Sequence, residues 1–213
     1  MIGQMFADAV AIWQSGGWAM FPLAVNAFIL FAIGANLWIH FRGRGFHTVR
    51  ESTWRRWIDH PEERRGMLGE IIGFVMGAGS LHELGARFGE LHATQVAPYT
   101  RDLRFMRRAV STAPLLGLLG TVTGMLSTFD ALAGGTGGQK TMDMIAGGIS
   151  EALITTETGL VIALPGLFFQ YHLARERDRY DAFLSHLETV CAQAYYRLTK
   201  GGRPAILPAG RAS

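Results

Sequence analysis

Three stretches of the chain stay apolar long enough to cross a bilayer. Residues 18–41 read WAMFPLAVNAFILFAIGANLWIHF, residues 113–132 read APLLGLLGTVTGMLSTFDAL, and residues 149–173 read ISEALITTETGLVIALPGLFFQYHL. At about 1.5 Å of rise per residue, each helix reaches across about 30 Å of hydrocarbon. Between the first two stretches the pattern changes. Leu81, Leu84, Phe88 and Leu91 recur at spacings of three and four, the mark of an amphipathic helix. Pro61, Gly77 and Gly79 divide this region, and Pro98 precedes a last helix that runs into the second apolar stretch. After the third stretch, Phe183, Leu187, Val190 and Ala194 keep helical spacing among mixed charges. No segment alternates as a strand would. The expected fold is therefore all-α. It has an outer segment at 1–17, a first span at 18–41, a cytoplasmic helical segment at 42–112 and a second span at 113–132. A short outer loop follows at 133–148, then a third span at 149–173, a cytoplasmic helix at 174–200 and a loose tail at 201–213.

Charge orients this pattern. Residues 42–112 carry 12 Arg and no Lys, with Arg42, Arg44 and Arg50 behind the first span and Arg104, Arg107 and Arg108 ahead of the second. Arg175, Arg177 and Arg179 follow the third, whereas the AGGTGGQK connection is poor in positive charge. Positive residues gather on the cytoplasmic side of a membrane, so the N-terminus is expected outside and the C-terminus inside. The first basic residue, Arg42, lies behind the first apolar run, which argues for a spanning helix and against a cleaved signal peptide. Overall, 49% of residues are hydrophobic and 17% charged, with mean hydropathy +0.18. That balance suits a chain partly in lipid and partly in water. A net charge of +3, with acidic residues interleaved throughout, is no basis for a nucleic-acid partner. The lone Cys191 forms no internal disulfide, and the seven His are scattered, so no metal or cofactor site is expected.

The candidate chemistry lies in the third span, which holds Glu151 and Glu157 together with the hydroxyls of Thr155, Thr156 and Thr158. A carboxylate at the centre of a spanning helix costs about 2.5–3.5 kcal/mol on insertion scales, so it rarely persists there without a task or a partner. Projected at about 100° per residue, Ala152, Thr156, Gly159, Ala163 and Gly166 share one small-residue face. Glu151, Thr155 and Thr158 form a second strip, and Glu157 stands apart among Leu153, Ile154, Leu160, Val161 and Leu164. Taken alone, Glu151 suits a first helical turn, where the helix dipole favours an anion, and a single Thr bonds its own backbone. Glu157 lies deeper and needs either a proton or a polar partner; Asn26 of the first span is at a similar depth. In the second span, Gly117, Gly120, Thr121 and Gly124 make a smooth strip that lets another helix approach closely. Three spans with such faces do not enclose a pore alone, but a closed ring of head-to-tail copies does. Rings of Thr121 and Thr156 would then face a shared cavity, with Glu151 and Glu157 holding and releasing protons and Thr155 also on or beside the proton path.

APLLGLLGTVTGM at 113–125 and ISEALITTETGLVIALPGL at 149–167 resemble the two signature helices of the MotA/TolQ/ExbB proton channel family, most closely its ExbB and TolQ branch. The order of spans is similar as well. The resemblance implies a homo-pentamer whose second and third spans surround a dimer of a single-span ExbD/TolR-like protein, which supplies the proton-carrying Asp. It also implies work on a TonB- or TolA-like protein in the bacterial inner membrane. It assigns the pore threonines to Thr121 and Thr156 and the third-span glutamate to Glu151. Thr155 and Glu157 depart from the pattern, which has small or apolar residues there. Together these readings make a proton-driven energising subunit, not an enzyme, that powers TonB-dependent transport. The competing readings are a TolQ-like envelope-maintenance motor and a non-conducting membrane scaffold. No Ser–His or Cys–His arrangement in the spans favours a membrane hydrolase.

Overall fold

The computed structural model describes residues 12–13, 15–43, 49–134 and 137–200. The expected outer segment 1–17 lies mostly, and the tail 201–213 entirely, outside these. Among the described residues the regular structure is helical: α1 (Met20–Gly43), α2 (Glu51–Asp59), a 3₁₀ turn (Pro61–Glu63), α3 (Gly66–Met76), α4 (Leu81–Gln95), α5 (Ala97–Gly134) and α6 (Gln139–Lys200). Three of these helices are long and apolar enough to cross a membrane. The chain divides into two compact units, Met1–Asn36 with Leu103–His172, and Leu37–Asp102 with Leu173–Ser213.

One boundary differs from the expectation. The connection at 133–148 is helical from Gln139 onward. Gly147 and Gly148 lie inside α6, and Gly148 is tolerated there because the close approach uses it: an added Cβ would meet the Gly124 carbonyl oxygen at 2.8 Å. The helix that runs into the second span is continuous with it, since α5 passes straight through Pro114. Pro165 likewise lies inside α6. Proline removes one helical hydrogen bond, and neighbouring helices make that tolerable inside a span.

In the first unit the helices meet through their smallest residues. Gly166 packs on Leu30 and Val110, where an added Cβ would lie 2.8 Å and 3.2 Å from their side chains. Gly34 receives the ring of Phe169 and the tip of Met106. Leu23, Leu30, Met106, Ala109 and Ala113 are buried, while Phe28, Leu115, Leu153 and Phe168 point outward and are 64–77% exposed. So much outward apolar surface suits lipid or neighbouring helices.

The second unit has a water-style core. Trp54, Ile58, Ile72, Val75, Leu84 and Phe88 pack with Leu187, Val190, Cys191 and Ala194 of α6. The spacing of Leu84, Phe88 and Leu91 does bury that face of α4, but Leu81 at its first residue is 46% exposed. Ser80 caps α4 by accepting the Glu83 N–H at 3.1 Å, and the Glu83 carboxylate accepts the Gly79 N–H at 2.8 Å. Tyr180 donates to Gln95 at 2.5 Å, and His92 contacts Asp181 at 3.1 Å, so polar clasps tie α4 to α6. Burial pushes the Cys191 thiol up to about 12, which makes it a core residue and a poor nucleophile. The same burial lowers the affinity of Arg64 for its proton, although its Nε donates to the Trp57 carbonyl at 2.9 Å.

Candidate functional site: a glycine seam with hydroxyls

The polar residues of the third span are positioned by the contact between α5 and α6. Four glycines bring the two backbones together. A Cβ on Gly159 would lie 2.8 Å from the Ala113 carbonyl oxygen, and one on Gly117 would lie 2.9 Å from the Thr155 oxygen and 3.0 Å from the Thr156 Cα. One on Gly124 would lie 2.7 Å from the Gly148 oxygen and 2.9 Å from the Ala152 Cβ. One on Gly120 would collide with the Thr155 side chain, its Cβ 2.5 Å away. At Gly117, Gly124 and Gly159 the obstruction includes backbone, so no rotamer change relieves it. Ala152 and Ala163 are buried along the same α6 face.

The seam sorts the hydroxyls in a way the helical projection does not. Thr155, grouped by projection with Glu151 and Thr158, is fully buried. It donates to the Ala152 oxygen at 3.0 Å or the Glu151 oxygen at 3.1 Å, within its own helix. Thr156 is half-buried at the margin, and its hydroxyl reaches across to the Gly117 carbonyl at 3.1 Å as well as to Ala152 at 3.3 Å. Thr158 donates to the Ile154 carbonyl of its own helix at 2.8 Å. Thr121 donates to Leu118 at 2.6 Å and borders an open depression of about 320 Å³ with Val122, Met125, Leu126 and Phe129. A hydroxyl whose proton rests on a carbonyl still has lone pairs with which to accept.

The two carboxylates part company. Glu151 is half-buried and lies against the backbone of Gly17, ahead of α1. Glu157 is exposed on the outward face with Leu153, Leu160, Val161 and Leu164. The suggested pairing with Asn26 is not what the structure brings together: Asn26 donates to the Ala109 carbonyl at 3.0 Å. The reason is register, since Asn26 faces α5 and Glu157 looks away from the bundle. The contact with Gly17 was missed at the level of sequence. Its signal was the Gly16–Gly17 pair just ahead of the first apolar run. Among the described residues no cluster of His, Cys, Asp and Glu is placed to hold a metal ion.

Comparison with known proteins gives a family match over part of the chain. Residues 86–188 match the profile described as the MotA/TolQ/ExbB proton channel family, a range that contains Thr121, Glu151, Thr155, Thr156, Glu157 and Thr158. A putative biopolymer transport protein ExbB-like 1 of Synechocystis is 36% identical over 107 residues, covering 48% of this chain and 42% of the relative. The Tol-Pal system protein TolQ of Haemophilus influenzae is 38% identical over 91 residues, covering 40% and 39%. The biopolymer transport protein exbB1 of Vibrio cholerae is 38% identical over 88 residues, covering 41% and 38%. The matched stretch thus spans about two fifths of the length of these relatives.

Proposed function

We propose, for a chain whose residues 86–188 match the MotA/TolQ/ExbB proton channel family and whose relatives include ExbB and TolQ proteins, that it is the proton-channel subunit of an inner-membrane motor. Five copies close into a ring around a dimer of a single-span ExbD/TolR-like protein, with the N-terminus in the periplasm and the C-terminus in the cytoplasm. Protons enter near Glu151, pass along the hydroxyls of Thr121 and Thr156 and the partner's acid, and leave on the cytoplasmic side. Their flow drives the partner, which works on a TonB-like protein to power transport across the outer membrane. The observation that carries this reading is the hydroxyl of Thr156 bridging to the Gly117 carbonyl, five residues along α6 from the half-buried Glu151. Polar groups held at a close glycine contact, with lone pairs to spare, are suited to passing protons rather than to binding a solute. Thr155 is buried and back-bonded, so it stiffens this seam. Glu157, on the outward face, serves contact with a neighbouring copy or the partner.

The test is proton influx into proteoliposomes holding the complex purified with its native single-span partner. Under an imposed potential, Thr156→Ala and Glu151→Ala should each cut influx at least about tenfold, the scale of losing a positioned proton-transfer group. Native mass measurement should show an intact ring. Unchanged influx with the ring intact would leave a scaffold as the better reading. The TolQ-like reading is kept because TolQ relatives match as well as ExbB ones. Deleting the gene distinguishes the two, since an envelope-maintenance motor protects against detergent and a TonB-linked motor supports uptake of scarce nutrients.

A further inference from the structure

Glu151 does not sit in an open field of side chains; a turn of bare backbone closes over it. Gly17 has φ +62°, in the left-handed region that favours glycine. A Cβ built on it would strike the Glu151 carboxylate, with Cδ at 2.5 Å and Cγ at 3.1 Å. Its neighbour Gly16 is buried, and a Cβ there would meet Ile154 Cγ2 at 3.2 Å and the Met20 side chain. The two glycines therefore straddle α6 at positions 151 and 154, on one side of the helix. Two independent demands converge on Gly17: a backbone angle that side chains rarely adopt, and a carboxylate that leaves no room for one. The obstructing atoms are the far end of a flexible chain, so a side chain at 17 would turn the carboxylate aside and leave the fold in place.

We propose that Gly17 is a positioning residue for Glu151, fixing the rotamer in which the carboxylate exchanges protons; this rests on the reading of Glu151 as a proton-path group. Two measurements on the full complex test it. First, Gly17→Cys with Glu151→Cys should form a disulfide on mild oxidation, because the Cβ of one lies near where the sulfur of the other falls. The native Cys191 is buried and does not compete. Failure to cross-link in the assembled complex overturns the contact and the proposal with it. Second, Gly17→Ala should lower proton influx by up to about 10²-fold and displace the midpoint of its pH profile, as expected when a transferring group is moved by about 1 Å. Gly17→Asn, which tolerates the left-handed backbone but carries the same Cβ, should behave like Gly17→Ala. Adding Glu151→Asp to Gly17→Ala withdraws the carboxylate by one methylene and should restore part of the influx. If Glu151→Ala abolishes influx while Gly17→Ala leaves rate and pH midpoint unchanged, the positioning role falls and the proton-path reading stands. If Glu151→Ala itself has no effect, both fall.

Discussion

The two units of this protein are held together by opposite means. In the second unit, Trp54, Phe88, Ile72 and Leu84 are almost completely buried, and the contacts are between large side chains. In the first, the closest contacts are between Gly117, Gly120, Gly124 and Gly159 and the facing backbone, while Leu115, Leu118 and Leu153 point away. The difference follows from the solvent. Water expels apolar side chains, so a unit folded in water gathers its bulk inside, at about 25 cal/mol per Å² buried. Lipid does not, because its chains are as apolar as leucine, so spans associate where small residues allow dispersion contact and interhelical hydrogen bonds. The same residue type therefore has opposite value in the two places: bulk stabilises one and wrecks the other.

Reversing size in each unit gives the strongest tests. Gly159→Leu should have the largest effect, since its side chain would be driven into the Ala113 carbonyl at a place where backbone must move. Little assembled protein should remain when membranes are solubilised and run on a sizing column. Phe88→Ala is next. It empties a fully buried site and should cost the second unit about 3–5 kcal/mol, read as a lower midpoint of thermal unfolding. By contrast, Leu118→Ala, on the outward face at 57% exposure, should leave that midpoint nearly untouched.

A smaller effect separates the two neighbouring seam hydroxyls. Thr156→Val keeps the shape but loses the bond to Gly117, worth about 0.6 kcal/mol on the average of membrane interhelical bonds. Thr155→Val loses only a bond within its own helix. A double-mutant comparison of thermal stability in detergent should therefore show Thr156 coupled to α5, and Thr155 sensitive to size rather than to its hydroxyl.

The smallest effect concerns acid. Acceptance of the Gly79 N–H, with Arg87 beside it, holds Glu83 below its usual 4.5. A hydrogen bond from His186, and then Arg55, does the same for Glu51. A carboxylate depressed in the folded state stabilises above its unfolded value, and that contribution is lost as pH falls through the folded value. Melting followed from about pH 6 to about pH 3 should therefore show a slight loss on the acid side, reduced in Glu83→Gln. Both groups are exposed, so the change should be small and salt-sensitive.

What the sequence determined by itself was the material of each region: three long apolar helices, a glycine-lined second span, and acids and hydroxyls in the third. Those features are local, because length, period and small residues are read along one helix. Only the tertiary structure decided which side chain serves which neighbour. Adjacent residues on a helix point about 100° apart, so the register of α5 against α6 alone puts Thr155 inside, Thr156 across to Gly117 and Glu157 outward. It likewise gave Asn26 to the Ala109 carbonyl and Glu151 to the Gly17 turn. A helix carries its own faces, but the choice of face belongs to the partner that packs on it, and that partner here is distant in sequence.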